Sequence, residues 1–119
     1  MPILLHIRNG AVIGEHELQP GNLRIGRKPD NDIRLDDSTV SGHHAVLTVK
    51  PSPYMDGLYD IYVDDLGSTN GTLVNGTPVE HHRLQHDDIV STGTHEFKVV
   101  NDEGRPLDRT RLYLPEDAS

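Results

Sequence analysis

Three short polar stretches of the chain carry residue types that could bind an anion. They are Gly26-Arg27, Ser41-Gly42-His43-His44 and Ser68-Thr69-Asn70-Gly71. Arginine offers a planar fork of N–H donors to two oxygens of a phosphate, and hydroxyl, amide and backbone N–H groups can satisfy the other oxygens. Each stretch taken alone is better explained as a turn whose hydroxyls cap nearby backbone. The three in this order favour a phosphate site, provided that the fold brings them together.

The segments between these stretches are predicted to be short β-strands. They alternate in polarity with a period of two, are rich in β-branched or aromatic residues, and are separated by clusters of Gly, Pro, Asn and Asp. No window of eleven residues shows a helical stripe of apolar side chains. The chain is therefore predicted to be all-β, a sandwich or a barrel. The predicted strands cover residues 4–8, 22–26, 44–50, 58–65, 72–75, 88–92 and 95–100, with a shorter one at 33–35.

Composition sets limits on function. The 119 residues suffice for one domain, and the absence of cysteine excludes disulfides, thiolate zinc sites and a catalytic thiol. A formal charge of −8, from 19 acidic and 11 basic residues, argues against nucleic-acid binding. The first residues contain no apolar run of signal-peptide or membrane-span length, so we expect no membrane contact and a cytoplasmic location. Four cations cluster locally, namely Arg24, Arg27, Lys28 and Arg34.

The order of the three polar stretches resembles the pattern of the forkhead-associated (FHA) domain family. That pattern is Gly-Arg, then Ser-x-x-His, then a Ser/Thr-Asn-Gly-Thr block followed by Asn-Gly. It is matched by Gly26-Arg27, Ser41 with His44, and residues 68–76. The resemblance extends over about residues 3–100. It implies a two-sheet β-sandwich of about eleven strands in residues 1–100, with the ligand loops at one end, and a tail or linker in 101–119.

The resemblance also implies a function, which is binding of phosphothreonine in a protein partner, in Ser/Thr kinase signalling. By position, Arg27 and Ser41 are expected to bind the phosphate, Thr69 to assist them, and Asn70 to hold the peptide backbone. The expected scaffold of the site is Gly26, His44 and Gly71, and possible auxiliary residues are Lys28, Gly42 and Ser68. No cofactor, no metal and no catalysis are expected, and the domain is expected to be a monomer.

One position departs from the family pattern. Gly42 follows Ser41, where many members carry an Arg or Asn that can contact the ligand. The phosphate site is therefore predicted to depend more heavily on Arg27, Ser41 and backbone N–H groups, with help from Lys28 or Arg24.

Other interpretations remain open. The same fold could bind a partner without any phosphate, which the glycine at position 42 slightly favours. A metal site at His81, His82 and His86 is less plausible than a solvated turn, because adjacent histidines on a strand face opposite ways. An enzyme built on Ser41 and His44 lacks a nucleophile elbow. Thr110 in the tail is a candidate phosphorylation site through which a second copy could bind weakly, although a plain linker explains the tail better.

The two Asn-Gly pairs of residues 65–76 are given different roles. Asn75-Gly76 is predicted to be an ordinary hairpin turn, because both residue types tolerate positive φ. Asn70-Gly71 is predicted to belong to the ligand site.

Overall fold

The computed structural model describes residues 2–101, which form eleven β-strands and no helix. No segment of this part of the chain is a helix long and apolar enough to cross a membrane. The strands are β1 (Ile3–Arg8), β2 (Ala11–Glu17), β3 (Gly21–Gly26), β4 (Ile33–Arg34), β5 (Ala45–Pro51), β6 (Tyr59–Asp65), β7 (Thr72–Val74), β8 (Thr77–Val79), β9 (His81–Leu84), β10 (Ile89–Thr92) and β11 (His95–Val100).

The strands form two sheets that enclose one apolar core. The six-stranded sheet has the order β2-β1-β11-β10-β7-β8, and the five-stranded sheet has the order β4-β3-β5-β6-β9. The short β3–β4 pairing is parallel. Alternate residues of the strands point into the core, as the burial of Ala45, Leu47 and Val49 along β5 shows. Phe97 in the six-stranded sheet is also fully buried. The predicted two-sheet, all-β sandwich is confirmed.

The eight strands predicted from alternation are present, with ends within one residue of the prediction. Three strands were missed, namely β2, β8 and β9. Strand β2 is exposed along much of its length at a sheet edge, and β9 buries only Leu84, so neither shows a clear period of two. The prediction of a surface turn at His81 and His82 was therefore wrong, because these residues pair with β6 in a sheet.

The predicted hairpin turn at Asn75-Gly76 is confirmed. It joins β7 to β8, and both residues have positive φ, 51° and 84°. Asn9-Gly10 joins β1 to β2 with similar angles.

Asn101 is the last described residue, and it still contacts the sandwich. Its backbone N–H donates to Nδ1 of His86 at 3.0 Å, and its side-chain amide donates to the carbonyl oxygen of Tyr59 at 3.2 Å. The predicted tail and Thr110 lie outside the described residues, so both remain predictions.

Candidate functional site

The three polar stretches lie on three loops that contact one another at one end of the sandwich. These are the β3–β4 loop (27–32), the β4–β5 loop (35–44) and the β6–β7 loop (66–71). The backbone N–H groups of Arg27 and Lys28 donate to the carbonyl oxygens of Ser41 and Gly42, at 3.0 and 3.1 Å. The Ser41 hydroxyl oxygen accepts the N–H of Thr69 at 2.9 Å. Backbone and side-chain bonds therefore hold Arg27, Ser41 and Thr69 side by side.

Gly26 lies where the first two loops cross the end of strand β3. A Cβ at this position would lie 2.7 Å from Nδ2 of Asn31 and closer still to the carbonyl oxygen of Gly42. Asn31 is itself buried, and its amide donates to the carbonyl oxygens of Lys28 and Gly42 at 2.8 and 2.7 Å. The two loops can pack this closely only because position 26 has no side chain. Sequence reasoning missed Asn31, although a buried amide between two loops is a common way to satisfy free carbonyl groups.

His44 is fully buried and links the second loop to the third. Its Nδ1 accepts the N–H of Ser41 at 3.0 Å, and its Nε2 lies 2.8 Å from the carbonyl oxygen of Gly71. Because a backbone N–H can only donate, Nδ1 must be the acceptor and Nε2 must carry the proton. The neighbouring His43 is exposed, with Nε2 2.9 Å from a carboxylate oxygen of Asp30. The two adjacent histidines thus point in opposite directions, as predicted.

The third loop is organised by Asp65, the last residue of β6. Its carboxylate accepts the hydroxyls of Ser68 and Thr72 and the backbone N–H of Ser68. Burial raises the pKa of Asp65, but these hydrogen bonds together outweigh burial and leave the pKa below its ordinary value. Of the three hydroxyls in residues 68–72, those of Ser68 and Thr72 therefore donate to a carboxylate. The side chain of Thr69 is exposed. No local pattern around Asp65 had indicated this role.

Asn70 is held by the loop that carries Ser41. Its amide nitrogen donates to the carbonyl oxygen of Thr39 at 2.8 Å. Thr39 in turn donates from its backbone N–H and its hydroxyl to Asp37, at 2.9 and 2.7 Å. A hydrogen bond from Thr94 and those from Thr39 hold the pKa of Asp37 far below its ordinary value. Asp37, which sequence reasoning also missed, fixes the position of Asn70 through one intermediate residue.

Lys28 lies directly over Gly42. A Cβ at position 42 would be 3.1–3.3 Å from the Cγ, Cδ and Cε atoms of Lys28. The aliphatic part of Lys28 therefore occupies the space that a side chain at position 42 would need. Arg27 and Lys28 are exposed, and neither forms an ion pair with a carboxylate within residues 2–101.

The arrangement as a whole offers donors to an anion. Ser41 accepts one hydrogen bond through its oxygen, so its own proton stays available for a ligand. Beside it lie the exposed side chains of Arg27, Lys28, Thr69 and Asn70. All the residues predicted for the site thus lie at one end of the fold. The hydroxyl proton of Ser68, however, is donated to Asp65 and is not free for a ligand.

The three histidines considered for a metal site do not converge. His81 contacts Asp64, and His86 accepts the N–H of Asn101. Within residues 2–101, no three His, Asp or Glu side chains are placed to hold a metal ion.

The comparisons with known proteins agree with this fold. Residues 23–93 match the family model of the FHA domain. The chain therefore belongs to the FHA domain family.

Several relatives are mycobacterial. The chain is 41% identical over 98 residues to the glycogen accumulation regulator GarA of Mycobacterium tuberculosis (strain ATCC 25618 / H37Rv), which is 82% of this chain and 55% of GarA. It is 39% identical over 87 residues to the ABC transporter ATP-binding/permease protein Rv1747 of the same strain, which is 73% of this chain and 9% of that protein. The chain thus spans about half the length of GarA and a small part of Rv1747.

Solved FHA domains share the architecture. One, from a structural and functional analysis of phosphothreonine-dependent FHA domain interactions, superposes with a TM-score of 0.69 at 32% identity, over 84% of this chain and 96% of that one. The FHA domain of FhaA, solved in complex with the intracellular domain of Rv3910, gives the same TM-score and identity over 83% of this chain and 99% of that one.

Proposed function

We propose that this domain binds phosphothreonine in a protein partner and acts as a non-enzymatic module in Ser/Thr kinase signalling. The observation that carries the proposal is the linkage of Arg27, Ser41 and Thr69 by two hydrogen bonds at the loop end of the sandwich. The phosphothreonine-dependent interactions of a structurally similar FHA domain support the choice of ligand. We also propose a cytoplasmic location, since ATP-dependent kinases act there, and a monomeric state.

Each side chain at the site is assigned a different contact with the phosphopeptide. Arg27 would donate two N–H groups to phosphate oxygens, and the Ser41 hydroxyl and Thr69 would donate to the others. Asn70, fixed through Thr39, presents an amide oxygen that receives no hydrogen bond within the described residues and would accept from the peptide backbone. Lys28 adds a second cation over Gly42. Gly26, His44 and Gly71 keep the loops in place.

The acidic net charge is compatible with this function. Exposed charges more than about 8 Å from the phosphate are largely screened at physiological ionic strength. A charge of −8 should therefore slow association with an acidic peptide more than it weakens the local contacts.

Calorimetric titration of matched peptides tests the proposal. A phosphothreonine peptide selected from an oriented library should bind, and its unphosphorylated form should not. Arg27→Ala removes two charge-assisted hydrogen bonds and should therefore weaken binding at least about 100-fold. Lys98→Ala, an equal charge change on strand β11 of the other sheet and beside Asp87, is the matched control and should bind like wild type.

Two results would contradict the proposal. If Arg27→Ala binds the phosphothreonine peptide as tightly as wild type, the assigned phosphate site is wrong. Equal affinity for the phosphorylated and unphosphorylated peptides would instead support the phosphate-independent interaction module.

A further inference from the structure

Two histidines lie in contact inside the sandwich, behind the β4–β5 loop. Nε2 of His6 on β1 lies 2.8 Å from Nδ1 of His95, the first residue of β11. His95 is buried, and His6 is half-buried with its ring stacked on that of Phe97, the centroids 4.5 Å apart. Neither histidine belongs to the three ligand loops.

The second ring nitrogen of His95 faces a carboxylate. It lies 3.6 Å from Oδ2 of Asp37 and forms no hydrogen bond within the described residues. A lone pair on this nitrogen would be repelled by the carboxylate, so Nε2 carries the proton and Nδ1 accepts from Nε2–H of His6. Nδ1 of His6 is then the nitrogen at which the pair takes up a further proton.

The same carboxylate holds the loop that fixes Asn70. Its Oδ1 accepts the N–H and the hydroxyl of Thr39 at 2.9 and 2.7 Å, and the carbonyl oxygen of Thr39 accepts the amide of Asn70 at 2.8 Å. Its Oδ2 accepts the hydroxyl of Thr94, the residue before His95. Asp37 thus lies between the histidine pair on one side and Thr39 with Asn70 on the other.

The turn before His95 packs tightly against this loop. Gly93 has a φ of 61°, and a Cβ there would lie 2.8 Å from Cγ2 of Val40 and closer still to the hydroxyl oxygen of Thr39. The β10–β11 turn and the β4–β5 loop therefore leave little space between them. A displacement of one must be followed by the other.

The surroundings of the pair keep it neutral at pH 7. Burial lowers the pKa of His6 most, and its neighbours His95, His16 on β2 and Arg8 lower the pKa further. Burial and Arg8 also lower the pKa of His95 and outweigh Asp37, which raises it. Two imidazoles in contact repel a second charge, so the pair takes up one proton, and only at more acidic pH.

A proton on the pair changes the forces on Asp37. Nε2–H of a cationic His95 attracts Oδ2, and a charge-assisted bond of about 2.8 Å would require a movement of about 0.8 Å from the present 3.6 Å. The same movement would lengthen the bonds from Thr39 to Oδ1, now 2.7 and 2.9 Å, to about 3.5 Å, where a hydrogen bond is lost. Thr39 would then no longer hold Asn70 in position.

We propose that the His6–His95 pair is a pH-sensitive support of Asn70: the neutral pair leaves Asn70 in place, and the protonated pair releases it through Asp37. Phosphopeptide binding should then weaken in acid by more than the phosphate itself accounts for, and this consequence rests on the proposed function. The release of Asn70 is a property of the free protein and does not rest on it.

NMR spectra of the free protein from pH 8 to pH 5 test the release. The side-chain amide of Asn70 should shift with the same midpoint as the Cε1–H signals of His6 and His95, below about 6.5. The shift should be absent in His95→Gln, which places a neutral amide beside Asp37. It should persist in His43→Gln, the matched change at an exposed histidine of the ligand loops.

The wild-type titration decides the outcome even if His95→Gln fails to fold. The inference is overturned if neither His6 nor His95 titrates above pH 5. It is also overturned if both titrate and the amide of Asn70 does not shift with them, because the pair is then only part of the packed interior.

Calorimetric titration of a phosphothreonine peptide at pH 8 and pH 5 measures the consequence for binding. Every variant should lose affinity over this range, because the phosphate group loses charge near pH 6. Wild type and His43→Gln should lose about 2- to 10-fold more than His95→Gln, the value of one hydrogen bond. In an Asn70→Ala background, His95→Gln should make no difference to the loss.

The inference and the proposed function fail in different ways. Equal losses in wild type and His95→Gln, or an excess loss that survives Asn70→Ala, would overturn the inference while Arg27-dependent binding stands. If the amide of Asn70 titrates with the histidine pair but no phosphothreonine peptide binds at either pH, the support of Asn70 stands and the proposed function is wrong.

Discussion

Substitution of Gly26 by alanine should destabilise the domain and disrupt its ligand loops. The new Cβ would lie 2.7 Å from Nδ2 of Asn31, where ordinary van der Waals contact begins at 3.4 Å, and it would lie closer still to the carbonyl oxygen of Gly42. Both neighbours would have to move by most of an ångström or more. That carbonyl accepts hydrogen bonds from Lys28 and Asn31, at 3.1 and 2.7 Å, so its displacement weakens both.

The expected cost follows from these contacts. Overpacking of this kind costs about 1–3 kcal/mol. Each of the two weakened hydrogen bonds adds about 0.5–1.5 kcal/mol. The free energy of unfolding should therefore fall by about 2–6 kcal/mol, a large part of the 5–15 kcal/mol that is usual for a small domain.

Urea denaturation measures this change, and Gly14→Ala provides the matched control. Gly14 lies in strand β2 without positive φ, and a Cβ added there would have nothing within 4 Å, so this variant should remain within about 1 kcal/mol of wild type. With a slope of about 2 kcal/mol/M in urea, Gly26→Ala should lower the urea midpoint by about 1–3 M. It should also weaken phosphothreonine binding at least about tenfold, since Arg27 is the next residue. Equal midpoints for the two variants would refute the crowding argument.

Two further predictions concern the buried polar groups behind the loops. His44→Phe leaves two partly buried backbone groups, the N–H of Ser41 and the carbonyl of Gly71, without their partner and should lower the free energy of unfolding by about 2–4 kcal/mol in urea. His43→Phe, at the exposed neighbour, should change it little, and equal losses would contradict the linking role of His44. The pKa of Asp37 is depressed in the folded state, so its stabilisation is present above the unfolded value near 4 and is lost as the pH falls through the folded value. Urea midpoints measured from pH 7 down to pH 2 should therefore decline more steeply for wild type than for Asp37→Asn, and parallel declines would refute this.

Local patterns in the sequence were sufficient for much of the fold. Eight strands follow from alternation, because one face of each is buried. The Asn75-Gly76 turn follows from the tolerance of both residues for positive φ. Asn9-Gly10 carries the same signal and could have revealed β2. Strand β9 had no local signal, since its hydrogen bonds to β6 define it and its side chains are mostly exposed.

The candidate site, like the fold, was only partly predictable from the sequence. The order of residue types along the chain was enough to group Gly26-Arg27, Ser41 with His44, and Thr69-Asn70, because together they form a recognisable pattern. What supports these residues became visible only in the folded molecule. Asn31, Asp37 and Asp65 hold the loops through contacts whose geometry depends on how separate segments fold against one another, and no local pattern encodes that geometry.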